Sequence, residues 1–227
     1  MAAEGGNLGV LQVIWDLAKE NLTREEINKK LILATDNMNR TAWHVAAEAG
    51  TLDFLQIIWE LAKKDLKREE INNNLLLATD NMNRTFWHVA AEGGKLGVLQ
   101  IIWELAKENL TREEINNKLL LATGNLNTTA WHVAAEGGKL DLLQETWDFA
   151  KKNPTREELK IKLLLSTDNM SRTAWRLAAK GGRLDVLQII WVLAKKILTR
   201  EEINNKLLLA TDNLSRTAWH VQHRGAN

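Results

Sequence analysis

The sequence predicts an all-α chain of tandem units, each 44 residues long and each carrying three helices. The ten tryptophans fall in two phases of one period. Trp15, Trp59, Trp103, Trp147 and Trp191 stand 44 residues apart, as do Trp43, Trp87, Trp131, Trp175 and Trp219. No insertion or deletion interrupts the period. Between the tryptophans, apolar residues recur at helical spacing, and the runs are bounded by helix start and stop signals. Residues 41–84, 85–128, 129–172 and 173–216 are full units. With partial units at 1–40 and 217–227, the whole span 1–227 reads as a single repeat domain.

The first helix of a unit is short, Thr41-Ala42-Trp43-His44-Val45-Ala46-Ala47-Glu48 in the first full copy. Thr41 is the expected N-cap, because its hydroxyl accepts from a free backbone N–H of the first turn. The paired alanines leave a flat face on which a neighbouring helix can lie close. Gly50 then supplies the left-handed stop that helix C-termini often use.

The second helix runs from Leu52 to about Lys64. Its apolar residues leave Asp53, Gln56, Glu60, Lys63 and the terminal Lys64 as a polar remainder. A helix so apolar has to be covered on more than one side. The third helix supplies that cover and starts at a capping box. In Leu110-Thr111-Arg112-Glu113-Glu114-Ile115, Thr111 and Glu114 satisfy two orphan donors reciprocally, and Leu110 and Ile115 occupy the staple positions. The box recurs at Thr23/Glu26, Thr155/Glu158 and Thr199/Glu202, whereas Lys67 replaces the threonine in one copy. Pro154 stands just outside its helix, where no donor is lost. Turn formers, Asp36-Asn37-Met38-Asn39-Arg40 and their copies, connect the units.

The chain of 227 residues carries 30 Lys and Arg against 29 Asp and Glu, a net charge of +1. That balance argues against a nucleic-acid partner, since phosphate affinity rests on clustered, unneutralised bases. There is no cysteine, which excludes disulfides, thiol nucleophiles and thiolate-held metals. No apolar run is long enough to span a membrane. Residues 1–6 have neither a basic n-region nor an apolar h-region, so a signal peptide is not expected and a cytoplasmic location is.

Thr41-Ala42-Trp43-His44-Val45-Ala46-Ala47-Glu48-Ala49-Gly50 resembles the ankyrin-repeat signature T-P-L-H-x-A-A-x-x-G. Asp36-Asn37-Met38-Asn39-Arg40-Thr41 is similar to the family's D-x-x-G-x-T, with Asn39 where glycine is usual. The departures are consistent across the copies: Ala for Pro, Trp for Leu, Asn or Ser for Gly. The ankyrin unit is about 33 residues, so the capped third helix fills the excess of roughly 11. The resemblance covers the whole chain and implies an ankyrin-like solenoid. First helices would line its concave face beside the projecting turns, and third helices would pack outside the second ones.

The resemblance implies a protein or peptide partner held at the turn tips and concave face. The candidate contact residues are Asn37, Met38, Arg40 and Glu48, then Asn81, Met82, Arg84 and Glu92. They recur as Asn125, Leu126, Thr128 and Glu136, as Asn169, Met170, Arg172 and Lys180, and as Asn213, Leu214 and Arg216. Stacking would set Met and Leu in one row and Arg in another. The Arg row would either receive carboxylates or phosphates, or be neutralised by Asp36, Asp80, Asp168, Asp212 and the glutamates.

His44, His88, His132 and His220 share one phase and, by the resemblance, bridge turns through hydrogen bonds; His223 lies outside that phase. Copies one helix diameter apart, about 8–10 Å, are too far apart to share a metal held at about 2 Å. Both tryptophan sets fall on apolar faces, as core residues do. No nucleophilic triad spacing, phosphate loop, metal-binding motif or carboxylate-pair pocket is present, so neither an enzyme nor a cofactor is expected. Glu25-Glu26 and its copies sit at helix starts, where the dipole favours acids.

The copies differ mainly around residues 142–197, through Glu145-Thr146, Ile161, Arg176, Lys180, Val192 and Ile197. This segment reads either as drift or as the individual surface of the array. Glu145 and Arg176 are charges at otherwise uncharged phases, which suggests a direct or water-mediated contact, since an unpaired buried charge is costly; the alternative, the default the resemblance implies, is that Glu145 points to solvent on the convex side, far from Arg176. The near-uniform turns, and ends that fall inside a unit, favour an alternative: a fragment of a longer array, or an engineered near-consensus repeat with no dedicated ligand. Residues 217–221 begin a first helix and residues 2–20 hold the end of one with a second helix. Head-to-tail stacking would complete the unit, although Gln222-His223-Arg224 obstructs it. A monomer with weak end-to-end contacts at high concentration is therefore expected.

Overall fold

The computed structural model describes residues 8–152 and 156–220. Thr155, Pro154, Gln222, His223, Arg224 and residues 2–7, which figure in the expectations above, lie outside the described residues. Among the described residues the secondary structure is helical, with isolated antiparallel bridges Thr35–Thr41, Thr79–Thr85 and Thr167–Thr173 and no strand. No helix among them is long and apolar enough to cross a membrane. The chain divides into two compact bodies, Met1–Leu119 and Leu120–Asn227.

Each full unit shows the helix order read from the sequence. First helices are Ala42–Ala49, Phe86–Gly93, Ala130–Gly137 and Ala174–Lys180. Second helices are Leu8–Asn21, Leu52–Asp65, Leu96–Asn109, Leu140–Lys151 and Leu184–Ile197. In the 217–227 segment only a single 3₁₀ turn, Ala218–His220, is described. Gly50, Gly94 and Gly138 end their first helices at positive φ of 81°, 69° and 72°, the left-handed stop that glycine provides without a Cβ clash.

The third segment differs from a plain helix. It begins α-helically at Arg24–Ile27, Arg68–Ile71, Arg112–Glu114 and Arg200–Ile203, then widens into a π-helix at Asn28–Ile32, Asn72–Leu76, Ile115–Leu120 and Asn204–Leu208. Leu33 N–H reaches the carbonyl five residues back, on Asn28, at 2.9 Å. The exception is Arg156–Leu165, which stays α-helical throughout. There Leu159-Lys160 replaces the Ile-Asn pair that opens the same stretch in the other copies, and Leu and Lys are better helix formers than Ile and Asn. The capping boxes are present at Thr23/Glu26, Thr111/Glu114 and Thr199/Glu202. At Lys67 only the backbone half survives, with Lys67 N–H donating to Glu70 at 2.9 Å.

Two kinds of packing join neighbouring units inside each body. First helices lie side by side, Ala42–Ala49 on Phe86–Gly93 and Ala130–Gly137 on Ala174–Lys180. The buried alanines Ala46, Ala47, Ala90, Ala91, Ala134 and Ala135 allow that approach. Third segments pack on their own second helix and also on the second helix of the following unit. Asn28–Ile32 meets Leu52–Asp65, Asn72–Leu76 meets Leu96–Asn109, and Arg156–Leu165 meets Leu184–Ile197. The third segment therefore bridges units rather than simply covering its own. Arg68 and Asn72 finish one such joint by donating to the Asn109 carbonyl at 3.0 and 2.9 Å, and Arg68 also reaches the Glu108 carbonyl at 3.1 Å. Arg24 does the same through an ion pair with Asp65 at 2.7 Å, and Asn28 through the Asp65 carbonyl.

The tryptophans pair within units. Trp43–Trp59, Trp87–Trp103, Trp131–Trp147 and Trp175–Trp191 have ring centroids 6.0, 6.4, 6.1 and 5.9 Å apart. Trp43, Trp87 and Trp131 are fully buried, as core residues should be. Trp219 departs from that pattern and is 93% exposed.

Candidate functional site

The turns between units are built around a single carboxylate. Asp36 Oδ1 accepts from the backbone N–H groups of Met38 and Arg40 at 2.8 and 2.9 Å, and Oδ2 accepts from Arg40 Nε at 2.8 Å. Asp80, Asp168 and Asp212 repeat the pattern. Burial would raise the Asp36 pKa, but the hydrogen bonds from Arg40 and Met38 win and hold it below the ordinary value. The residue three after each Asp takes a left-handed φ of 55–58°, Asn39, Asn83, Ser171 and Ser215, as does Asn127 three after Gly124. At Gly124 the carboxylate is missing, and backbone bonds from Gly124 to Thr128 and from Asn127 to Gly124 are kept.

Successive turns are joined by backbone rungs. Within the first body Asn81 N–H donates to the Met38 carbonyl at 2.9 Å. Within the second, Asn169 donates to Leu126 and Asn213 to Met170, at 3.0 and 3.1 Å. Asn39 and Asn127 side chains add bonds to the Thr79 and Thr167 carbonyls of the next turn at 2.9 and 2.8 Å. The tips are thus rigid, and they present apolar groups to solvent. Met38, Met82, Leu126 and Leu214 are exposed, beside exposed Asn37, Asn81, Asn125, Asn169 and Asn213, while Met170 is half-buried.

The arginines behave differently from the apolar row. Arg40 and Arg84 are each held between two acids, with Nη1 on Glu48 and Glu92 at 2.9 Å. Arg172 and Arg216 are held by Asp168 and Asp212. Their guanidinium groups order the turn, which favours the neutralised reading of the row over anion reception. Where Thr128 replaces the arginine, Glu136 turns instead to Lys180 of the next unit, at 2.6 Å. Two of the departures from the repeat therefore compensate each other across a joint.

The histidines complete the first-helix caps. Thr41, Thr85 and Thr129 donate their backbone N–H to Nδ1 of His44, His88 and His132 at 3.4, 3.3 and 3.3 Å, so histidine stands where a capping box has Glu. His132 Nε2 lies 3.0 Å from the Ser166 carbonyl of the next unit. That network suits the neutral ring protonated on Nε2. Burial holds the His44 and His132 pKa values below the ordinary one.

The expected contact between Glu145 and Arg176 is replaced by another. Arg176 Nη2 pairs with Asp212 at 2.7 Å, and Nη1 donates to the Arg216 carbonyl. A buried guanidinium at the histidine phase reaches forward to the next turn, as His132 does, rather than back to Glu145. The signal was present in the sequence as an acid 36 residues ahead, but every copy of that turn has one except Gly124, so it did not stand out.

No protein-family model matches the chain, and no curated protein matches its sequence.

Proposed function

We propose that the chain is a protein-interaction scaffold, an ankyrin-like solenoid that holds a protein or peptide along its row of turn tips. The observation that carries this reading is the combination of exposed Met38, Met82, Leu126 and Leu214 with tips held by backbone rungs. An apolar group on a rigid tip binds without the cost of ordering a loop. The family resemblance gains support from the left-handed Asn39, Asn83 and Asn127 where the family usually has glycine, and from the Thr–His caps. The ion-paired arginines would frame the apolar row and exclude water rather than supply free positive charge. A second reading, a structural array without a dedicated ligand, is favoured by the near-identity of the turns from copy to copy.

The test is affinity capture with the whole chain beside a variant carrying Met38→Asp, Met82→Asp, Leu126→Asp and Leu214→Asp. These side chains are exposed, so the variant should fold and keep its thermal stability. A partner recovered by the parent and lost by the variant supports the scaffold. Equal recovery by both, or no specific partner for either, favours the structural array.

A further inference from the structure

In the first body each arginine of the turn row meets two acids. Arg40 donates from Nε to Asp36 and from Nη1 to Glu48, and Arg84 donates from the same two groups to Asp80 and Glu92. The second acid stands eight residues after the arginine, on the first helix that the turn leads into. Eight residues after Arg172 stands Lys180 instead. Arg172 therefore keeps Asp168 alone, through Nε at 2.7 Å and Nη2 at 2.6 Å. Its Nη1, the group that meets glutamate in the first body, has no acceptor among the described residues and is open to solvent.

The surroundings of Arg172 are basic. Lys180 reaches back to Glu136 of the preceding unit at 2.6 Å and stays half exposed. Arg176, one turn before Lys180, is buried on Asp212. Burial holds Arg176 below its ordinary pKa against the pull of Asp212, and repulsion from Arg216 and Arg172 adds to it, so these guanidinium groups lie within one another's field. At six matching phases the first body has Asp36, Arg40, His44, Glu48, Asp80 and Arg84, an excess of acids. The second body has Asp168, Arg172, Arg176, Lys180, Asp212 and Arg216, and its bases outnumber its acids even when Glu136 is added.

We propose that Arg172 and Lys180 receive a carboxylate from an acidic peptide segment of a protein partner. Arg172 Nη1 donates to that carboxylate as Arg40 and Arg84 donate to Glu48 and Glu92, and Lys180, standing where those glutamates stand, supplies a second positive charge. Asp168 already fixes the guanidinium, so the charge-assisted hydrogen bond forms without ordering a free side chain. The row as a whole is neutralised, and Arg172 is the place where one of its two acids comes from outside. The proposal deepens the scaffold reading and rests on it for the partner being a protein.

The test titrates the whole chain with a synthetic end-blocked peptide, Gly-Leu-Glu-Glu-Leu-Gly, and with the same peptide carrying Gln for Glu. Binding is read from the side-chain nitrogen resonances of Arg172 and Lys180 at physiological salt. The Glu peptide should shift both resonances and bind at least about fivefold tighter than the Gln peptide. Lys180→Glu, which restores the residue of the other copies, should bring the Glu peptide down to the Gln level. Lys196→Glu makes the same charge change at an exposed position on the second helix and should leave binding unchanged. Arg40→Thr with Glu92→Lys copies the pattern of Thr128 and Lys180 into the first body and should create a second site at Arg84. Equal affinity for the two peptides overturns the proposal, as does an equal loss in Lys180→Glu and Lys196→Glu. So does inorganic phosphate bound as tightly as the Glu peptide, which would make this a general anion site. The capture experiment decides the scaffold reading separately: a partner lost with the apolar tips, beside no preference for the Glu peptide here, would sink this proposal and leave the scaffold standing.

Discussion

Arg176 Nη2 donates to Asp212 Oδ2 at 2.7 Å, with the two side chains 6% and 0% exposed, and so ties one unit to the turn of the next. Asp212 also accepts from Leu214 and Arg216 N–H groups and from the Arg216 guanidinium. Burial would raise its pKa, but these donors and Arg176 hold it well below the usual carboxylate range. Asp212→Ala should cost about 2–4 kcal/mol, because it strands a buried guanidinium and opens the turn. With Arg176→His in the background, the cost should fall to about 1–2 kcal/mol, since the Thr173 cap then meets a neutral ring. Chemical denaturation of the four proteins measures the coupling, and additive costs would remove the pair from the joint. The same cycle between Glu145→Ile and Arg176→His should give no coupling.

Acid should weaken the fold in two stages. His132 is held neutral by burial, its pKa below the 6.5 of the free ring, although the Ser166 carbonyl and Asp168 pull the other way. Between the two values the unfolded chain binds more protons, so stability falls as pH drops below 6.5 toward the lower folded value. Asp36 and Asp212, also held below their ordinary pKa, add a further loss only at lower pH. His44→Gln with His132→Gln keeps an acceptor for the threonine N–H. That variant should show a flatter dependence of Tm on pH from 7.5 to 5; an unchanged slope would assign the acid loss to other groups.

The third-segment caps offer opposite changes at equivalent positions. Thr111→Ala should cost about 1 kcal/mol by removing the acceptor of the Glu114 N–H. Lys67→Thr should stabilise by up to about 1 kcal/mol, since Glu70 already holds the Lys67 N–H and only the hydroxyl half is missing. Thermal unfolding of both variants checks the pair, and no change in either would mean these caps add nothing to the joint.

Deleting residues 41–84 should leave a folded first body. Arg24 and Asn28 would then meet the Glu108 and Asn109 carbonyls in place of Lys64 and Asp65, as Arg68 and Asn72 do now. A nearest-neighbour array loses one unit and one joint by such a deletion, not its cooperativity. Circular dichroism with a single, lower-temperature transition is the expected result.

The sequence by itself determined the period, the three-helix unit and its caps, because these rest on local signals: Thr three residues before His or Glu, a glycine stop, an apolar stripe. The resemblance read from it also marked Met38, Met82, Leu126, Met170 and Leu214 as turn-tip residues, and of these all but Met170 are exposed. The π-helical widening after Ile27 and Ile71 was not legible, because it depends on small differences in propensity and on where Asn28 and Asn72 find carbonyls in the next unit. The pairing of Arg176 with Asp212 and of Lys180 with Glu136 was decided only in three dimensions. Charges of either sign recur at every unit, and sequence spacing ranks several partners equally. Only the joint between units brings one acid within 3 Å of each base and excludes water from Arg176.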